Sequence, residues 1–170
     1  MLDFDIGGGA AGWVEYKPAR AAWRMPDDSG SVEDVDWKQA IFHFEGIRMG
    51  WQRWVEGQPE WVWDEAGATK AERPEGQDWK RGFEVHVTLL DENLKPTSDQ
   101  LRFNASQVGT RKGVRELYSQ YVEELPANKG KLPVVKNLGS QPSKATSIPL
   151  LRIVKWMEPP SGSSDAVEFH

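Results

Sequence analysis

Trp51, Trp54, Trp61 and Trp63 fall in one short stretch with Arg48 and Arg53, and Trp79 directly precedes Lys80 and Arg81. Flat rings interleaved with cations suit one kind of chemistry, in which bases stack on the rings while the charges hold phosphates. The chain carries nine tryptophans in 170 residues. So many large rings are hard to bury in a small domain, and some of them should meet a ligand. The competing reading is a β-rich core that uses Trp as filler, and for any single ring it is the better one. On the strand expected over Ile47–Val55, Trp51 and Arg53 share a face and Trp54 takes the opposite one. One face then offers a ring and a guanidinium to a ligand while the other enters the core. Lys80-Arg81-Gly82-Phe83 sets two cations at the start of the next strand, and Lys129, Lys131, Lys136 and Lys144 flank the late strands. The candidate nucleic-acid-binding set is Trp51, Arg53, Trp54, Trp61, Trp63, Lys80, Arg81, Phe83 and Lys136.

Catalytic constellations are weak by comparison. With no cysteine in the chain, disulfides, thiolate metal sites and thiol nucleophiles are excluded together. His43, His86 and His170 match neither a zinc finger nor the helical HExxH motif. No GxSxG elbow presents a serine. Asp27-Asp28 through Asp36 lacks the order of an EF-hand loop and reads as a solvated acidic segment. Gly7, Gly9 and Gly12 have GxGxxG spacing, but a strand-like segment ending at Pro18 follows instead of a helix. A two-metal nuclease would need carboxylates converging from different strands, an arrangement that sequence leaves open. The expectation is a protein without catalytic residues, metal or cofactor.

Net charge is −5, which at face value opposes a polyanionic partner. Its distribution is uneven. Residues 1–100 hold 11 basic and 20 acidic side chains, whereas residues 101–155 hold 10 basic ones against Glu116, Glu123 and Glu124. A basic second half is compatible with a local phosphate track. No apolar run approaches the roughly 20 residues of a membrane span, and the N-terminus lacks the pattern of a signal peptide. A cytoplasmic protein is expected.

The elements that must position these residues are mostly strands. Trp13–Lys17, Ala21–Met25, Ala40–Phe44, Ile47–Val55, Gly82–Leu90, Leu132–Leu138 and Leu150–Met157 show β-type patterning, with Glu45-Gly46 as a turn or bulge. Phe83, Val85, Val87 and Leu89 share one face; Glu84, His86 and Thr88 share the other. Residues 56–79 look like a long excursion, functional or mobile. Val114, Leu117, Tyr118, Tyr121, Val122 and Leu125 make the stripe of an amphipathic helix closed by Pro126, with Arg111, Lys112 and Arg115 on its other side. Gly139–Ser147 reads as a flexible link. Strands, one late helix and a final pair of strands predict a mainly β, OB-like domain over residues 1–160. This is a five-stranded Greek-key barrel with its helix between the third and fourth strands. A different small barrel or a β-sandwich with one helix is the alternative.

Residues 161–170 should form a flexible, weakly acidic tail. Asp165, Glu168 and Phe169 resemble the acidic, aromatic-ended tails by which bacterial and phage single-strand-binding proteins recruit replication and repair partners. Glu168-Phe169-His170 also reads as a scar leading into a tag. Over residues 4–157 the chain resembles a family of phage and prophage proteins thought to bind single-stranded DNA. The resemblance rests on Phe4-Asp-Ile-Gly-Gly-Gly, Gly50-Trp51, Glu56-Gly-Gln-Pro59 with Trp63-Asp64, Lys80-Arg81-Gly82-Phe83, Pro133-Val-Val-Lys136 and Ile153-Val-Lys-Trp156. It implies coating of single strands in phage DNA replication or recombination, without catalysis. The net acidity and the weakly acidic tail depart from that pattern. Two other classes stay open: a phage accessory protein whose Trp-rich surface binds a protein, and a metal-dependent nuclease or resolvase. Oligomeric state is open too.

Overall fold

The computed structural model of the chain describes residues 12–65 and 70–159. Within them the protein is mainly β, as expected. The strands are β1 (Trp13–Lys17), β2 (Ala22–Pro26), β3 (Val32–Val35), β4 (Gln39–Val55), β5 (Gln58–Trp63), β6 (Lys80–Leu90), β7 (Leu101–Ala105), β8 (Leu132–Ser143) and β9 (Thr146–Met157). One helix, α1 (Val108–Glu124), lies between β7 and β8. The strands form a nine-stranded sheet in the order β3-β2-β1-β7-β6-β4-β8-β9, with β5 paired to β4 beside that path. Among the described strands only β1 and β7 pair in parallel. β3 and β9 end the order without pairing to each other. The sheet is therefore open and wider than the five-stranded barrel expected, because β1–β3 add to the edge of β7.

β4 organises the molecule. Its 17 residues pair with β6, β8 and β5 in turn. The register against β6 shifts between His43 and Arg48, an odd step on β4 against an even one on β6. Such a bulge reverses which residues face the core. Ala40, Phe42 and Phe44 point inward before it, and Ile47 packs on the core after it. The Glu45-Gly46 bulge thus holds, inside one continuous strand.

Inward side chains of β1, β4, β6 and β7 meet in an aromatic core. Phe42, Phe44, Val85 and Phe103 are almost wholly buried there. Trp23 and Trp37 belong to it as well: Trp23 lies 5.0 Å from Tyr16, 5.2 Å from Trp37 and 5.1 Å from Phe103, centroid to centroid. For these two rings the filler reading is correct. Ile41, Leu90 and Val134 make a smaller cluster at one end of the sheet's other face.

α1 buries Val114, Leu117 and Tyr121, as its stripe predicts, although Val122 is 53% exposed. Gly109 and Gly113, four residues apart, let it lie against β9. A Cβ on Gly109 would stand 2.2 Å from the Ser147 carbonyl oxygen, and one on Gly113 2.5 Å from that of Pro149. Pro126 sits in a single tight turn, Leu125–Ala127, after the helix.

Three strands escaped the sequence reading: β3, β5 and β7. The 56–79 excursion opens as a hairpin, since β5 folds back on β4 through Glu56 and Gly57, at φ of 52° and 80°. Two consecutive residues with positive φ are what a tight two-residue hairpin turn requires. Gly139–Ser147 is likewise paired, with Ser140 opposite Pro149 and Ser143 opposite Thr146. Among the described residues no helix is long and apolar enough to cross a membrane.

Candidate nucleic-acid interface

The bulge in β4 decides which rings reach solvent. Beyond it Met49, Trp51 and Arg53 turn to the helix side, while Arg48, Gln52 and Trp54 turn to the open face of the sheet. β5 adds Trp63 opposite Gly50, Trp61 opposite Gln52 and Pro59 opposite Trp54. β6 sets Gly82 opposite Gly50 and Glu84 opposite Arg48. Two facing glycines leave the sheet bare at that point, and the Trp61 ring lies across Gly82. A Cβ on Gly82 would come within 3.2 Å of that ring and 2.7 Å of the Ala105 carbonyl oxygen.

On this bare patch the rings stack. Trp61 and Trp63 lie with centroids 4.1 Å apart and planes 11° from parallel. The Arg48 guanidinium carbon stands 3.9 Å above Trp63 and caps the stack. The stack borders a cleft of 690 Å³ that Trp54, Gln52, Glu84, Arg102 and Asn104 also line. Trp54 is 59% exposed, the most open of the large rings among the described residues. Gln52 is 2% exposed, and its Nε2 has no hydrogen-bond partner. The charges on the walls balance, with Arg48 and Arg102 against Glu15 and Glu84.

The expected roles of the two faces of β4 are therefore exchanged. Trp54, a member of the candidate set on the face expected to enter the core, is the exposed ring. Trp51 and Arg53 do share a face, but it is the helix side, and both are engaged there. Trp51 Nε1 donates to the Ala71 carbonyl at 2.8 Å, and the Arg81 guanidinium stands 5.3 Å from its ring. Arg53 Nε bonds Glu60 at 2.6 Å while its guanidinium stands 4.6 Å from Trp79, itself buried. Arg81 is held by Asp64 through two hydrogen bonds of 2.8 and 2.5 Å. The Arg81 hydrogen bonds hold the Asp64 carboxyl below its ordinary range, against an opposing effect of burial.

Phe83 is 5% exposed and packs 5.2 Å from Phe103. It packs into the core and is absent from the aromatic cleft, a correction to its assignment there as a stacking contact, because the face it shares with Val85 and Val87 is the inward one. Lys80 is exposed, opposite Gln52. Lys136 is exposed opposite Gln39 at the other end of β4, roughly 40 Å along the strand from the aromatic cleft at about 3.3 Å per residue. Asp165, Glu168 and Phe169 lie outside the described residues. Sequence reasoning brought together Trp54, Trp61 and Trp63. It missed Gln52 and the β7 pair Arg102 and Asn104, whose signal was the alternation of Leu101, Phe103 and Ala105 with polar residues.

His43 and His86 face each other across β4 and β6 on the open face. His43 Nε2 is 2.9 Å from Thr88 Oγ1, and burial pushes its ring below the ordinary imidazole value, against the pull of Glu45. Among the described residues no three His, Asp or Glu side chains converge in a way that could hold a metal ion.

Compared with protein-family models, curated proteins and solved structures, the chain matches none.

Proposed function

We propose that the protein binds single-stranded DNA with little regard to sequence, taking bases into the aromatic cleft. The observation that carries this reading is the Arg48–Trp63–Trp61 stack beside an exposed Trp54. Trp54 and Trp61 sit diagonally across the β4–β5 pair, and diagonal neighbours stand roughly 7–8 Å apart. One more ring at the 4.1 Å spacing of the Trp61–Trp63 pair needs walls about twice that distance apart. A base between Trp54 and Trp61 extends the stack.

The arrangement of strands supports the same reading. With β1–β3 and β5 set aside, β7-β6-β4-β8-β9 is the order third, second, first, fourth, fifth, and α1 falls between third and fourth. We read these five as an OB-type core whose free edge is taken by β1. OB-folds receive oligonucleotides on the face of their second and third strands, beneath the loop joining the first two. Glu84 of β6 and Arg102 and Asn104 of β7 line the cleft, and β5 belongs to that loop. A role in phage DNA replication or recombination follows from the resemblance alone. So does recruitment of a partner by Asp165, Glu168 and Phe169, which a pull-down with and without residues 161–170 tests.

The deciding experiment is tryptophan fluorescence during titration with oligo-dT at two salt concentrations. Stacking on Trp54 and Trp61 quenches the signal, and Trp54→Ala weakens binding by about 1–3 kcal/mol. Unchanged fluorescence at high protein and DNA concentrations overturns the reading.

A further inference from the structure

A second concentration of charge lies on the opposite side of the β4–β6 pair, against α1. Arg111 and Arg115 stand at i and i+4 on the helix and so share one side of it. Together with Lys70 and Arg81 they ring a cleft of 300 Å³. Its other walls are apolar, among them Ile47, Met49, Val114 and Tyr118.

The charges here do not cancel. Arg81 is neutralised by Asp64. Among the described residues no carboxylate forms a salt bridge with Lys70, Arg111 or Arg115, and only Lys70 feels the Asp64 charge nearby. Burial, then the like charges of Arg115 and Arg81, push the Arg111 guanidinium below its ordinary value, yet an arginine stays protonated. The fold thus holds like charges together beside an apolar wall, an arrangement that costs free energy until an anion arrives. Guanidinium forks match phosphate oxygens in pairs, and a lysine adds a point charge. A cleft of this volume is at the lower end of the range of small-ligand sites. The apolar walls suit a sugar or base carried on the phosphate.

We infer that this helix-side cleft is a second anion site, separate from the aromatic cleft, which takes the phosphate groups of a nucleotide or of a nucleic-acid strand. It stands whether or not the aromatic cleft binds DNA, because the two lie on opposite faces of the sheet and share no charged side chain.

The test uses the full chain, the double variant Arg111→Gln/Arg115→Gln and three probes: tripolyphosphate, dTTP and a long oligo-dT. Binding is followed by calorimetry at low salt. If the phosphate comes from a free nucleotide, the parent binds tripolyphosphate and dTTP, and the double variant binds both at least tenfold more weakly. If it comes from a strand, the double variant loses affinity for oligo-dT. Its salt slope then becomes shallower by about 1.4, the share of two phosphate contacts on a single strand. Equal binding of all three probes by parent and variant overturns the site, as does failure of all three to bind the parent. An acidic control peptide, titrated beside the three probes, also overturns the site if it binds the parent as tightly as tripolyphosphate, since the cleft would then be indifferent to phosphate. If oligo-dT alone fails while tripolyphosphate binds, the single-strand reading falls and this site stands. Should the double variant not fold, Arg115→Gln at its exposed position carries the same comparison.

Discussion

Tryptophan has different work at different positions here, and burial tells them apart. Trp54 is largely exposed, with its ring free for a ligand, so Trp54→Ala should leave thermal stability almost unchanged while weakening oligonucleotide binding. Trp23 is 6% exposed at the centre of the aromatic core, and Trp23→Ala should cost about 3–5 kcal/mol in a denaturant titration. A Trp54→Ala variant as unstable as Trp23→Ala would mean that Trp54 is structural after all. His43 offers a third test at this scale. Burial favours its neutral form, so the unfolded chain takes up its proton more readily than the folded one. Its contribution is complete above the ordinary imidazole value, near pH 6.5, and is lost as pH falls below it. Melting temperature should therefore drop between pH 7 and pH 5, and His43→Gln should flatten that drop. An unchanged slope in the variant would assign the pH dependence elsewhere.

Among the elements, the β4–β5 hairpin and its glycine pair set the geometry of the cleft. Gly50 and Gly82 face each other without side chains, and the Trp61 ring takes the space. An alanine at Gly82 would bring its methyl against both the Trp61 ring and the Ala105 carbonyl, a backbone atom that cannot swing aside. Gly82→Ala should therefore cost about 1–3 kcal/mol by overpacking. It should also tilt Trp61 away from Trp63, visible as loss of the near-ultraviolet dichroism of the stacked pair. Retention of both the signal and the stability would show that the sheet yields there more easily than its contacts imply. The turn at Glu56-Gly57 belongs to the same device. Because β5 is anchored through it, the aromatic patch depends on local turn geometry as well as on distant packing.

At the scale of the whole molecule, two carboxylates tie separate elements together. Asp64 holds Arg81 and accepts the backbone N–H of Ala71 at 2.9 Å, which secures the segment after β5 to β6. Glu124 accepts hydrogen bonds of 2.9 Å from Trp156 Nε1 and from Gln120 Nε2, which secures the end of α1 to β9. These bonds depress both carboxyls below their ordinary values. Their stabilisation is complete above the ordinary carboxylate range, about pH 4, and is lost as pH falls through the lowered folded-state values. Acid unfolding should begin below about pH 4, and Asp64→Asn should shrink the stability difference between pH 5 and pH 2. An acid limb identical to that of the parent would discount the Asp64–Arg81 tie.

Much of this was present in the order of residues. Alternation in Phe83–Leu89 and the helical stripe from Val114 to Tyr121 identify an inward face before any contact is seen, because side chains repeat every 2 residues on a strand and every 3.6 on a helix. The crowding of Trp with Arg and Lys between residues 48 and 81 likewise marked the region that holds the aromatic cleft. Which tryptophan of β4 faces solvent was not legible. That choice rests on the bulge between His43 and Arg48, where the register slips and every later residue of β4 changes side, so that Trp54 emerges and Trp51 turns to the helix. Phe83 and Lys136 misled for a related reason: a residue type states what a side chain can do, whereas its face and its distance along the sheet are set by pairing with strands remote in sequence. Lys70, Arg111 and Arg115 are brought to one cleft in the same way, from a loop and a helix some forty residues apart in the chain. Propensity and patterning act over a few residues, and only the packing of α1 against the sheet brings those charges together.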